Sequence, residues 1–142
     1  TYNSLNKHED TFYIRINNEQ NDRFGYTLAQ QGGPVAVHWD PYMASEEYET
    51  KKFLGFNYTS KTGVTGSPAL NLAHEMEHMR EYVEKGTLNL GATNDDYGTY
   101  EERRVIEGPE RMIATQLGEP LRHSHLGELF RVDKPTKRCK KR

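Results

Sequence analysis

The segment from Ser67 to Gly86 constrains this chain more than any other, because it signals a helix at both ends and carries a metal-ligand spacing in its middle. Ser67 can cap the first turn with its hydroxyl, and Pro68 suits the first helical position, where a missing N–H is no loss. Leu72, Met76, Met79 and Val83 recur at helical spacing, and Gly86 is a stop that tolerates left-handed backbone. Within this helix, His74-Glu75-Met76-Glu77-His78 sets two imidazoles four residues apart, one above the other on one face. Both can reach one metal ion. Glu75 lies one step round the helix, where its carboxylate can take a proton from a water held by that metal. The competing reading is a surface helix with two solvated histidines.

At 142 residues the chain has the size of one domain. A hydrophobic fraction of 34% predicts a small core and long loops. The net charge of −2 argues against an overall nucleic-acid-binding charge. Cys139 is the single cysteine, so no disulfide forms within the chain, and no histidine arrangement around it makes it a nucleophile. No apolar run reaches a membrane-spanning length and no signal peptide is visible. A monomer without membrane or nucleic-acid partners is expected. The start at Thr1 reads as an excised or processed piece.

Residues 1–10 are polar and expected to be loose. Thr11–Ile16 reads as a strand, 17–23 as a turn, Phe24–Gln30 as a returning strand and Val35–Asp40 as a third, ended by Pro41. Residues 42–52 are acidic and ambiguous, 53–58 suggest a short edge strand, and 60–66 a flexible lead into the helix. Thr99 opens a second helix, which Gly108-Pro109 should kink and Gly118 should end. Leu121–Phe130 carries a weaker signal. From Lys134 to Arg142 the chain holds six basic residues, and a like-charged block of this kind reads as a disordered tail, leaving one domain over 1–133.

Two histidines do not complete a catalytic zinc site, which usually takes three protein ligands and a water. Downstream candidates are Glu101, Glu102, Glu107, Glu110, His123 and His125. A ligand on the second helix is natural if the two helices pack face to face. Thr99-x-x-Glu102 also matches a capping box, in which Glu102 would only satisfy a backbone amide and the third ligand would lie elsewhere. His38 and Trp39 read as packing residues on their strand.

Taken together, Ser67-Pro68, His74-Glu75-x-x-His78, Glu101-Glu102-x-Arg104-Val105 and Gly118-x-Pro120-x-Arg122-x-x-His125 resemble the NleD-type effector metallopeptidase family, over about residues 35–125. The last two pieces also resemble the clostridial neurotoxin light chains. The resemblance implies that Glu102 is the third zinc ligand and that Glu101 supports a ligand histidine. It implies that Arg122 and His125 occupy the Arg-x-x-Tyr positions that stabilise the transition state. His125 departs from the expected tyrosine, and Pro109 stands where an ordinary helical residue is expected. Direct zinc ligation by a late histidine and a surface ion pair for Arg122 stay open.

The expectation is therefore an α+β, zincin-like metallopeptidase domain. Antiparallel strands come first, then the active-site helix and a second ligand-bearing helix, with an edge strand beside the cleft. Zn2+ is the expected cofactor, and Glu75, Arg122 and His125 the expected catalytic residues. The resemblance implies a secreted or translocated bacterial toxin or effector that cleaves an intracellular protein of a target cell and meets a cognate immunity protein. A non-catalytic metal-binding module and a nucleic-acid-directed toxin are the alternatives.

Overall fold

In the computed structural model, residues 12–138 are described. Their elements are β1 (Tyr13–Ile16), β2 (Arg23–Phe24), α1 (Tyr26–Gln30), β3 (Ala36–Trp39), β4 (Met43–Phe53), β5 (Phe56–Gly66), α2 (Pro68–Lys85), α3 (Tyr100–Val105), α4 (Arg111–Leu117) and β6 (Gly127–Arg131). A kinked segment, Ile106–Glu110, in which Gly108 leaves the helical backbone angles, joins α3 to α4. The class is α+β, with two three-stranded sheets ordered β1-β3-β2 and β5-β4-β6.

Three strand expectations are corrected. First, β1 runs parallel to β3, pairing Tyr13 with Ala36 and Ile16 with Trp39, while only β2 is antiparallel to β3. The chain between Ile16 and Ala36 is long enough for the crossover that a parallel pair requires. Second, the strand expected over Phe24–Gln30 ends after Phe24. The Gly25 N–H still bonds to the Ala36 carbonyl (2.9 Å), and then α1 begins. The helix buries Ala29 and sets Tyr26 edge-on to Tyr82 of α2, ring centres 5.6 Å apart. Third, the ambiguous 42–52, the edge strand at 53–58 and the flexible lead at 60–66 are one long β4–β5 hairpin turning at Leu54-Gly55. Its outer half is exposed on both faces, so no alternation marks it in the sequence. Strands also do not all precede the helices: β6 returns to pair with β4, Met43 opposite Arg131 and Glu47 opposite Gly127.

The main apolar core joins the first sheet to one face of α2. Phe24, Ala29, Val37 and Met79 are buried there, with Leu72, Met76, Tyr82 and Val83 around them. Another face of α2 buries polar groups: His74, Glu77, His78 and Glu81.

The ends of α2 follow their residues. Ser67 is extended (φ −72°, ψ 160°), its hydroxyl accepts the Leu70 N–H, and Gly86 closes the helix at φ 73°. The Ala69 N–H bonds to the Pro135 carbonyl at 2.9 Å, so the start of the basic segment is tied to α2. The Glu119 carboxylate accepts both the Ser67 N–H (2.8 Å) and its hydroxyl (2.5 Å), placing negative charge where the helix dipole favours it. The second helix kinks as its Gly108-Pro109 predicts, with Gly108 at φ −108°, ψ −105°. Residues 1–10, expected to be loose, and Cys139 lie outside the described residues.

Candidate metal centre

α2 and α3 meet at a cluster of donor atoms. His74 Nε2 lies 3.0 Å from His78 Nε2 and 2.9 Å from Glu102 Oε2, and His78 Nε2 lies 3.3 Å from the same oxygen. Three donors so spaced form the base triangle of a tetrahedral site, for which zinc–ligand distances are about 2.0–2.2 Å. Thr99 does cap α3, its hydroxyl accepting the Glu102 N–H at 3.2 Å, but the Glu102 carboxylate turns to the imidazoles. Only one half of the capping box forms.

Behind each imidazole stands a carboxylate held by an arginine. His78 Nδ1 is 2.9 Å from Glu101 Oε1, and Arg104 donates to both Glu101 oxygens, at 3.0 and 2.7 Å. His74 Nδ1 is 2.6 Å from Glu110 Oε2, and Arg122 donates to both Glu110 oxygens, at 2.7 and 2.6 Å. Partners of this kind fix the tautomer: Nδ1 keeps its proton and Nε2 presents its lone pair to the centre. Glu101 thus supports His78, and Glu110, one of the third-ligand candidates, supports His74.

The electrostatics ask for two positive charges. Glu75, Glu101, Glu102 and Glu110 surround the centre, against the guanidiniums of Arg104 and Arg122. Burial pushes the His78 imidazole down, but Glu101 and Glu102 outweigh it and hold it up at about 10. His74 is raised likewise, burial being outweighed by Glu102 and Glu110. Burial raises the Glu102 carboxyl, yet the two imidazoles keep it well below the usual carboxylate range. A divalent cation supplies the same two charges with both imidazoles neutral, so the residues present fit a metal ion.

Glu75 faces the cleft beside His74, and its Oε2 accepts the Phe24 N–H at 2.6 Å. Asp22, which the sequence reading missed, lines the same cleft. Its Oδ1 accepts the Asp40 N–H (2.7 Å), and the Asn71 side chain also acts on the carboxylate. Burial pushes this carboxyl up to about 6, the Asp40 N–H opposing and the Glu75 charge adding. A turn residue before a two-residue strand gave no signal of this.

Arg122 stands behind His74. The ion pair considered for it is with Glu110, whose side chain is 2% exposed, so the pair is buried and its Nε and Nη2 are engaged. Only Nη1 lies outside these contacts. His125 is half-exposed, stacks on His74 (ring centres 5.8 Å, 14° between planes) and sets Nε2 3.3 Å from Glu102 Oε2. His74, Glu102 and His125 therefore form a second potential ligand group beside His74, Glu75 and His78. Burial lowers the His125 imidazole to about 4. The segment carrying Arg122 and His125 is fastened by buried Glu47, whose Oε2 accepts the N–H groups of His123 (2.6 Å) and Ser124 (2.9 Å). The other ligand candidates lie apart: Glu107 pairs with Arg103 at 3.2 Å and the His123 ring meets Arg111 at 3.4 Å.

No protein-family model, curated protein or solved structure matches the chain.

Proposed function

We propose that this is a zincin-like, zinc-dependent endopeptidase domain, acting as a bacterial toxin or effector on an intracellular protein of a target cell. The observation that carries the reading is the meeting of His74 Nε2, His78 Nε2 and the Glu102 carboxylate at one point, with Glu75 beside them facing a cleft. Bound there, zinc would supply a Lewis acid for the peptide carbonyl and lower the pKa of a water. Glu75, held in orientation by the Phe24 N–H, would serve as the general base toward a water at that site and then as the proton donor to the leaving amine. The β6 strand, an edge of its sheet, passes the cleft through Gly127, Glu128 and Leu129 and offers main-chain groups to an extended substrate. Glu101 and Glu110 orient the imidazoles. The toxin assignment rests on the motif resemblance, which also implies delivery into the target cell and a protective immunity protein.

A site that held metal only for structure would have no use for a general base such as Glu75. Incubating the chain with denatured protein and with plasmid, each with and without chelator, separates the readings. Fragments from the protein alone are expected, abolished by chelator and about 10²–10⁴-fold slower with Glu75→Gln. Fully zinc-loaded protein that leaves every polypeptide intact overturns the peptidase in favour of a binding module, and nicked plasmid points to a nuclease.

A further inference from the structure

The β4–β5 hairpin runs out of the body of the domain. From Thr50 to Thr59 every residue is exposed, including Phe53 (66%), Leu54 (81%), Phe56 (78%) and Tyr58 (49%). Four residues of each strand project, about 13 Å at the usual rise. The base of this finger is fixed, the Thr50 N–H donating to Asp96 Oδ2 at 2.7 Å.

The finger is two-sided. Cross-strand partners share a face, and here Phe53 opposes Phe56 and Lys51 opposes Tyr58. One face therefore carries Lys51 and three aromatic rings. The other carries Thr50 opposite Thr59 and Lys52 opposite Asn57. No acidic residue occurs from Thr50 to Thr59, in a chain with 21 of them. Lys51 reaches back to Glu49 at 3.0 Å across exposed surface, an attachment easily exchanged.

The turn itself works against folding. Leu54 (φ 48°) and Gly55 (φ 85°) both have positive φ, the two-residue arrangement that favours Asn-Gly. A leucine there is conformationally disfavoured and buries nothing, being the most exposed large hydrophobic residue among those described. An apolar, aromatic tip with lysines on both faces, and no carboxylate beyond Glu49 at its base, matches an anionic lipid surface. Rings and leucine enter the headgroup boundary there, and the lysines meet the phosphates.

We infer that the hairpin tip docks the domain on anionic membrane surfaces. Such docking differs from spanning, and no helix among the described residues is long and apolar enough to cross a bilayer. The sequence reading expected no membrane partner, and the proposal sets a peripheral one against that expectation. The inference is independent of the peptidase reading.

The test is co-sedimentation of the full chain with vesicles of phosphatidylcholine alone or with phosphatidylserine. Binding is expected to the anionic vesicles, falling as salt rises. Phe53→Ser/Phe56→Ser and Lys51→Glu/Lys52→Glu should each weaken it at least about tenfold. Leu54→Asn should weaken binding while leaving the melting temperature equal or higher, since Asn accepts the turn's backbone. Three results overturn the proposal: no sedimentation with anionic vesicles, equal binding by Phe53→Ser/Phe56→Ser, or a wild-type dimer on sizing that the same variant abolishes.

Discussion

Replacing Glu110 by glutamine isolates the ion pair behind His74. The Glu110 side chain is 2% exposed and accepts from His74 Nδ1 and from two nitrogens of Arg122, all within 2.7 Å. Burial alone would raise its carboxyl, but Arg122 and then His74 pull it down to about 2, from an ordinary 4.5. A difference of that size is linked to about 3 kcal/mol of stability. A second route agrees: removing one partner of a buried ion pair typically costs about 3–5 kcal/mol, because the other charge is left uncompensated. Glutamine keeps the shape and one acceptor, so the lower figure is expected. Since the folded-state value is depressed, the contribution is complete above pH 4.5 and is lost as the pH falls towards about 2. Urea unfolding in chelator, followed by circular dichroism, measures it. At pH 7 the variant's midpoint should drop by about 1–3 M, given a slope of about 1–3 kcal/mol/M. The gap should shrink at pH 3, and metal affinity should fall by about 10–100-fold. Stability at pH 7 within about 0.5 kcal/mol of wild type, the usual range for an uninvolved surface change, would refute the reasoning. Arg122 would then be released from its supporting role and available as the transition-state donor that the motif implied.

Glu102→Ala should abolish metal binding, whereas Glu101→Ala should weaken it by about 10–100-fold, as loss of an outer partner does; elemental analysis showing the reverse order would make Glu101 the ligand. Metal uptake near pH 7 should release protons, because the carboxylates hold His78 at about 10 and raise His74. Affinity should therefore rise with pH, and titration calorimetry in buffers of different ionisation heat should detect the release; its absence would show the imidazoles neutral beforehand. Asp22 is raised from 3.8 to about 6, so its ionisation opposes folding increasingly between those values and fully above them. Asp22→Asn should accordingly gain stability relative to wild type as the pH rises from 4 to 8, and a constant difference across that range in chelator would contradict the burial of this carboxyl.

The parts of the structure that are legible in the sequence are those governed by local chemistry. Ser67, Pro68 and Gly86 bound α2 because caps act over one turn, and the Gly108-Pro109 kink follows from proline's own geometry. The spacing of His74 and His78 needs nothing beyond a helix. What escaped is set by distant contacts. The parallel pairing of β1 with β3 depends on a crossover, and the length of the β4–β5 hairpin on a finger with no buried face to impose alternation. Asp22 and Glu110 acquire their environments from segments 53 and 36 residues away, at Glu75 and His74 respectively. No pattern announces Asp22, and the sequence offers Glu110 only as one of several ligand candidates, not as the support of His74. The capping box shows a further limit: the local signal at Thr99 was sound, but packing decided where the Glu102 side chain went.

The kink at Gly108 sets angular phase. In an unbroken α-helix, Glu101 and Glu110 would stand nine positions apart, about 900° of rotation, and so point in opposite directions. Only one of them could then have faced α2. The interruption resets the count, so that the carboxylate from before the break supports His78 and the one from after it supports His74. Each half of the second helix is indexed to its own imidazole. Straightening the joint would turn one support away from the centre and leave one of the two ligand histidines without its brace.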